Sequence, residues 1–544
     1  MLLLTVMDAK TNPYIRQTEA GSEITPAGTV YLQEIVTNPT GNTYSFYDRY
    51  NPKVVAAAMA RLSRFGGDMR ELILKEFAAQ DGQEEMILRR ILTQFGDDSV
   101  QQLDFLPLVV ENASNLMMKH LERGRLAAYL EQSTRYIYYD VKRHGQYRYY
   151  TPPYLPAKLA AEYKKAMDQI FDNYSEVVRR LTDHYHQLDT TPEAQRGAPW
   201  RIALRGKACD VGRGLLPLAT TSTVGIVGSA QAVDSLIMHL MAQDLPEAQA
   251  AGQQILEEVR KQHDVFFERT DLPNRGSAIS TYKRQTRQRF AALAGRLSAG
   301  EADRAADIPV RLLGYTPKNE LDLLPHMLFP HTQLSLGELT DALKTWPRKD
   351  KLAAFDLYMG ERLNRRHKPG RALEVAHYDF ELVSDYGCFK DLQRHRIVDG
   401  LEWQPLGIHL GYDMPQAIIE AGLEDLYRQT VAIADELYQK IKKAGFAEEA
   451  QYATLHTHKL RWKLTFNARE AFHLIELRTQ PAGHFSYRKL AGQMYDEIAR
   501  VHPRLAAHMI FVNRNDDDPS MSRLEQAEAA QAKLKLLGLE GLIE

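Results

Sequence analysis

The sequence predicts two related α+β domains in tandem, each combining a mixed sheet with long helices, a layered arrangement rather than a pure bundle or sandwich. Three observations predict it. First, RGRLAAYLE at Arg123 to Glu131 lines up with RHRIVDGLE at Arg394 to Glu402, sharing Arg, Arg, Leu and Glu at identical spacing, as an internal duplication would. Second, each copy is followed by the same succession: a long helical pattern (Ala160 to Leu181; Gln416 to Lys443), an apolar segment, and another helix. Third, period-two strand patterns stand directly before helix patterns in the second half. A length of 544 residues is ample for two domains at about 100 to 200 residues each.

Taken in order, MLLLTVMDAK has no cationic segment before its apolar run, so it reads as a first strand and not as a signal peptide. Gly214 to Val233 is uncharged and long enough to span a bilayer, but Pro217, Gln231 and its glycines dilute it, which predicts buried chain in a soluble protein. The polar, Ala-rich stretch Gln285 to Asp307, broken by Gly295 and Gly300, predicts a surface helix plus connector. The domain boundary therefore falls there, giving domains over 1–300 and 305–544. Ala376, Tyr378, Phe380 and Leu382 alternate with polar residues, as do Leu460, Trp462, Leu464 and Phe466, and both stretches predict half-buried strands. Asn467 then stands at a helix N-cap with Glu470 in the capping-box position, and Ala471, Phe472 and Ile475 form the apolar stripe.

Lys+Arg 68 against Asp+Glu 70 gives a net charge of −2, without the basic excess of a chain that tracks duplex nucleic acid. Only two cysteines, Cys209 and Cys388, exclude a disulfide scaffold or a four-cysteine metal site and make a reducing cytoplasm the expected compartment. No Gly-x-Gly-x-x-Gly, Walker A, His-Glu-x-x-His or Gly-x-Ser-x-Gly motif is present. The pairs His184/His186 and His456/His458 lack a third ligand in sequence, so no metal is expected.

Arg394-His395-Arg396 puts two guanidiniums at i and i+2, pointing the same way on extended chain, which suits a phosphate or pyrophosphate; a solvated basic turn is the alternative. Arg478 falls on the apolar face of its helix, where a buried guanidinium requires an anion, either a ligand or a core carboxylate. Seven tyrosines between Tyr136 and Tyr154, interleaved with Lys142, Arg143 and Arg148, read as a stacking platform or as packed strand with wet hydroxyls. The basic runs Lys283 to Arg289 and Arg362 to Arg371 read as solvated faces.

Arg123-Gly124-Arg125, followed after seven residues by Ser133-Thr134-Arg135, resembles the motif of the flavin-dependent thymidylate synthases: Arg-His-Arg, seven residues, Ser-x-Arg. The chain resembles that family twice. The first half has Gly124 for the histidine; the second keeps Arg394, His395 and Arg396 but has Gln404 for the serine. VGRGLLPL places Arg213 where the family has a nucleotide-holding arginine, without a counterpart in AQYATLHT. FNAREAFHLIELRT resembles the family's Asn-Ala-Arg and Leu-Arg, with Ala232, Asp234 and Gln243 aligned to it in the first half.

The resemblance implies a reductive methylation of dUMP to dTMP by methylenetetrahydrofolate, with FAD and NADPH. It implies that Arg394, His395, Arg396, Asn467, Arg469, Arg123 and Arg125 hold the flavin, and that Glu131, Ser133, Arg135 and Arg213 hold dUMP or a related pyrimidine nucleotide. Arg478 and Ser133 are the implied catalytic residues. Because the surviving residues are complementary between the halves, the expected active site is composite, and two chains are expected to pair as a four-domain homodimer. Alternatives are a nucleotide- or flavin-binding protein without turnover and an enzyme acting on another pyrimidine; neither membrane nor nucleic acid is expected as a partner.

Overall fold

The computed structural model describes residues 12–19, 21–48, 50–62, 65–78, 89, 98–193, 196–297, 308–515, 529, 532, 533, 535 and 536. The first strand expected in MLLLTVMDAK and most of the connector before Asp307 lie outside these residues.

Among the described residues the chain forms two compact units: 12–110, 126–130 and 224–297 in one, and 111–125, 131–223 and 308–515 in the other. The first carries the hairpin β1 (Ile15–Thr18) and β2 (Gly21–Ile24). It also carries the helices Ala230–Met241, Pro246–Phe267 and Gly276–Ala294. Most of a three-stranded sheet belongs to it as well, made of β3 (Phe105–Ser114), β4 (Ala127–Glu131) and β5 (Thr221–Ser229) in the order β3-β5-β4. The expected surface helix is Gly276–Ala294; Arg287 from its basic run pairs with Asp244 at 2.8 Å.

The second unit is built on a four-stranded sheet of β6 (Val310–Thr316), β7 (His377–Asp385), β8 (Gly400–Trp403) and β9 (Lys459–Asn467), in the order β6-β7-β9-β8 with every pairing antiparallel. Tyr378, Phe380, Leu382, Leu460, Trp462, Leu464 and Phe466 are buried, as their alternation requires. The long pattern of the first copy is the single helix Ala157–Leu188. The second splits into Gln416–Glu420 and Glu424–Lys443 around Gly422, whose φ of 63° ends the first helix.

The strand orders β3-β5-β4 and β7-β9-β8 are the same order of first, third and second, so the duplication extends from the motif to the sheet topology. In both copies the first strand runs into a capped helix: Ser114 accepts from the Met117 N–H at 3.0 Å and Asp385 from the Cys388 N–H at 2.8 Å. The third strands do likewise, through Ser229 to Ala232 and Asn467 to Glu470. Counting from these caps corrects the alignment of the copies. The residues opposite Asn467, Arg469 and Arg478 are Ser229, Gln231 and Leu240, not Ala232, Asp234 and Gln243.

Three local expectations also change. The capping box is only half made, because the Glu470 carboxylate turns to His395 and His473 instead of its own cap. Arg362 is not solvated: it is buried in a bidentate pair with Glu476, at 2.6 Å on both arms. The tyrosine-rich segment forms no strand; Tyr147 and Tyr149 pack on Phe171 and donate their hydroxyls to Asp172 and Asp168.

Candidate active site

Each Arg-x-Arg motif follows a short capped helix, Asn115–Leu121 or Tyr386–Leu392, and precedes β4 or β8. In the second unit the two copies exchange partners. Arg394 of the second copy lies 3.1 Å from Glu131 of the first, and Arg123 of the first lies 2.9 Å from Glu402 of the second. Glu131 and Glu402 occupy the same place in the repeat, so this is the reciprocal contact of a two-fold pair, made within one chain.

Around the Arg394 end of this exchange the structure gathers four of the arginines singled out in the sequence. Arg213 is buried and donates to Asp391 at 2.9 Å. Arg394 stands 3.9 Å from the same carboxylate. Burial works against ionisation of Asp391, but the guanidiniums of Arg213, Arg394, Arg135 and Arg478 outweigh it and hold the carboxyl well below the usual range. Arg135 is held by Asp210 as a fork at 2.8 and 3.0 Å, and also donates to the Tyr487 hydroxyl and the Ala482 carbonyl. Its neighbour Ser133 accepts the Arg135 backbone N–H at 3.2 Å.

Arg478 does not pair with a core carboxylate among the described residues. Its Nε donates to His395 Nε2 at 2.8 Å, and its guanidinium lies 5.3 Å from the Tyr487 ring centre. An arginine nitrogen can only donate, so His395 accepts at Nε2 and carries its proton on Nδ1, 2.9 Å from Glu470. Burial, reinforced by Arg478, outweighs the Glu470 hydrogen bond and pushes the His395 imidazole down to about 4. His395, Glu470 and His473 bring three donor atoms within 4.8 Å of one another, and the hydrogen bonds among them and to Arg478 account for the grouping.

The motif arginines separate in a way the sequence did not anticipate. Arg394 sits in a turn and faces the carboxylates, whereas Arg396 lines a cavity of about 240 Å³ together with His395, Arg123 and Arg125. The clamp is thus drawn from both copies and not from Arg394 with Arg396. Asn467 spends its Oδ1 on the helix cap, and Arg469 turns to the Pro369 carbonyl and to Glu374. Asp391 and Asp210 were missed by sequence reasoning, and Glu470 was read only as a capping residue; isolated acidic residues carry no site motif, and only the position of Asp391 three residues before Arg394 ties it to one.

The sequence pattern of the thymidylate synthase complementing proteins matches residues 47–264 and 331–504, one stretch in each copy. The chain belongs to this family. It is accordingly a thymidylate synthase-like enzyme. The chain is also similar to a UPF0159 protein of Chlamydia pneumoniae, at 31% identity over 515 residues covering 91% of this chain and 96% of that protein. It is similar to a flavin-dependent thymidylate synthase of Sulfolobus acidocaldarius at 29% over 119 residues, 21% of this chain and 46% of the other. A solved UMP/dUMP methylase of Streptomyces cacaoi bound with 5-Br dUMP aligns over 38% of this chain and 97% of its own, at 17% identity and a TM-score of 0.32.

Among the family-type positions, the reciprocal end of the exchange is depleted. Gln451 stands in the turn that corresponds to Arg213, and His120 replaces Asp391. The Trp403 ring fills that end, 5.7 Å from the Arg123 guanidinium and 5.9 Å from Lys119. One end of the exchange therefore keeps a full set of cations and the other does not.

Proposed function

We propose that the chain methylates dUMP to dTMP reductively, taking the one-carbon unit from methylenetetrahydrofolate and reducing equivalents from NADPH through FAD. The observation that supports it most is the convergence of Arg135 and Arg213 from one copy with Arg394 and Arg478 from the other around Asp391. A nucleotide phosphate recruits such guanidiniums by taking over hydrogen bonds now given to Asp391 and Glu131, and bidentate, permanently charged donors suit it.

The guanidiniums also suit a flavin's pyrophosphate: three arginines from both copies and a buried histidine line one cavity together with Glu122, Asp399 and Glu402, and the pyrophosphate would replace Glu402 as the partner of Arg123. Arg123, Arg125 and Arg396 would hold that group, with His395 and Asn467 beside them. When bound, FAD supplies the hydride that completes reduction of the transferred carbon to a methyl group. The chain's own work is electrostatic. Neutral His395 fixes Arg478 through Nε, and the terminal nitrogens of Arg478 have no hydrogen-bond partner among the described residues. In this reading they stabilise the electron-rich uracil, whose C5 attacks the carbon and then releases its proton. Cys388 is no nucleophile for this step, because burial pushes its thiol well above the usual value.

The reading includes two family-type copies, 1–300 and 305–544, and two chains pairing to rebuild a four-copy core in the cytoplasm. Its test is tritium release from C5-labelled dUMP in the presence of FAD, NADPH and methylenetetrahydrofolate. Wild type should release tritium, and Arg478→Lys should lose about a hundredfold or more in kcat, since an ammonium cannot reproduce the planar contact. Undiminished turnover in that variant, or no FAD uptake by wild type, overturns the reading.

A further inference from the structure

The duplication places a cavity at the same point of each copy, where the first strand ends and the third begins. Tyr149 bridges Thr220 as Tyr412 bridges His458, and Thr220 and His458 each lie nine residues before the caps Ser229 and Asn467. Tyr150 and Thr151 therefore correspond to Asp413 and Met414, and both pairs line their cavities. The two have diverged in charge. Asp210, Asp385 and Asp413 stand in the wall at the β7 and β9 end, whereas the cavity at β3 and β5, of about 810 Å³ and wholly within the second unit, presents Arg143, Arg148 and Lys164 against the single carboxylate of Glu111.

None of these three cations has a carboxylate partner among the described residues. Arg143 and Lys164 are exposed and Arg148 is half-buried. Asp168, one turn along the helix from Lys164, is spent instead on Lys142 at 3.2 Å and on the Tyr149 hydroxyl at 3.0 Å. The Arg148 guanidinium lies 4.1 Å from the Tyr139 ring centre, a contact that orients the cation without neutralising it. Arg143 and Gln146 exchange backbone hydrogen bonds at 2.8 and 3.1 Å around His144 and Gly145, whose φ values of 51° and 82° give the tight turn of a two-residue hairpin. That turn fixes Arg143 at the cavity wall. Like charges around one concavity focus a positive field into it.

We propose that this cavity binds a phosphorylated small anion at a site separate from the arginine cluster. Two guanidiniums offer paired N–H donors to phosphoryl oxygens and Lys164 adds a point charge, while the volume is in the range of small-molecule sites. A free phosphate chain and a nucleoside triphosphate share this chemistry. A nucleic-acid strand does not suit it, because Tyr147 and Tyr149 are buried against Phe171 with their hydroxyls on Asp172 and Asp168, so these rings are not offered to bases. The inference does not depend on the reaction proposed above, since none of its residues belongs to the cluster around Asp391.

The test is calorimetric titration of full-length protein, in magnesium-free buffer, with inorganic tripolyphosphate and separately with ATP. Wild type should bind both: equally if the phosphate chain alone is read, ATP more tightly if the cavity also takes the base. The double variant Arg143→Ala, Lys164→Ala changes two exposed side chains and should fold, yet should weaken both ligands by about tenfold or more, as loss of charged hydrogen bonds does. Lys165→Ala, which removes a charge from the same helix outside the cavity, and Arg394→Ala, within the cluster, should leave both affinities within about twofold of wild type. Wild type that binds neither ligand, affinities unchanged in the double variant, or a loss as large in Lys165→Ala or in Arg394→Ala would overturn the inference. So would binding of a single-stranded oligonucleotide that strengthens with its length, which would mark a nucleic-acid surface instead.

Discussion

His395 illustrates how one side chain links stability to the site. Held near 4 by burial and Arg478, it stays neutral in the folded protein, whereas an unfolded histidine takes a proton near its ordinary value of about 6.5. Between those values the unfolded state binds more protons, so this group's contribution to stability is lost as the pH falls from about 6.5 toward 4. Glu122 works in the opposite sense, because burial and Glu131 raise it to about 7 and the folded form then holds the extra proton. A comparison with His395→Gln isolates the histidine, since glutamine can donate to Glu470 and accept from Arg478. Urea unfolding at pH 6.5 and 5 should show wild type losing about 1.5 kcal/mol more than the variant over that interval. An equal pH dependence in both would show that His395 is not held neutral. The arginines of this site were legible in the sequence because the motif spacing marks them. Asp391 and Asp210 were not, because what makes a carboxylate functional here is the set of guanidiniums that folding brings around it.

At the scale of elements, the caps fix where each functional residue falls. Asn467 closes the helix at Glu470, and the proposed function gives it a second task at the flavin. Asn467→Ala should therefore cost about 1 kcal/mol of stability and also weaken FAD, whereas Asn467→Asp should weaken FAD while keeping stability within a few tenths. Urea midpoints and a flavin titration on both variants check this, and flavin affinity unchanged in both would remove Asn467 from the site. Strands β7 and β9 and the helix after β9 were readable because one buried face gives strict alternation and then a clear cap. The first copy was misaligned by three residues because GIVGSAQAV has no polar alternation to mark where β5 stops and Ser229 begins the helix. Gly422 hid a break inside an otherwise continuous apolar pattern, and the tyrosine segment was anchored by hydroxyls rather than by a ladder.

For the whole molecule, duplication explains the uneven distribution of chemistry. Two identical subunits sharing a reciprocal contact must each keep every residue, but two fused copies need to keep only one complete set between them. The exchange of Arg394 with Glu131 and of Arg123 with Glu402 preserves the two-fold frame, while the cations gather at one end and Trp403 fills the other. The tandem plan was visible in a nine-residue match, but which ends face each other was not, because spatial exchange leaves no trace in spacing. The account therefore predicts one nucleotide site per chain, dependent on arginines from both copies. The most direct measurement is calorimetric titration of the FAD-loaded, full-length protein with 5-fluoro-dUMP, repeated on Arg135→Ala and Arg394→Ala. The account predicts a stoichiometry of about one per chain and loss of tight binding in each variant, since every phosphate-type arginine removed costs about 1.5 to 3 kcal/mol. Two sites per chain, or full binding retained after either substitution, would contradict it.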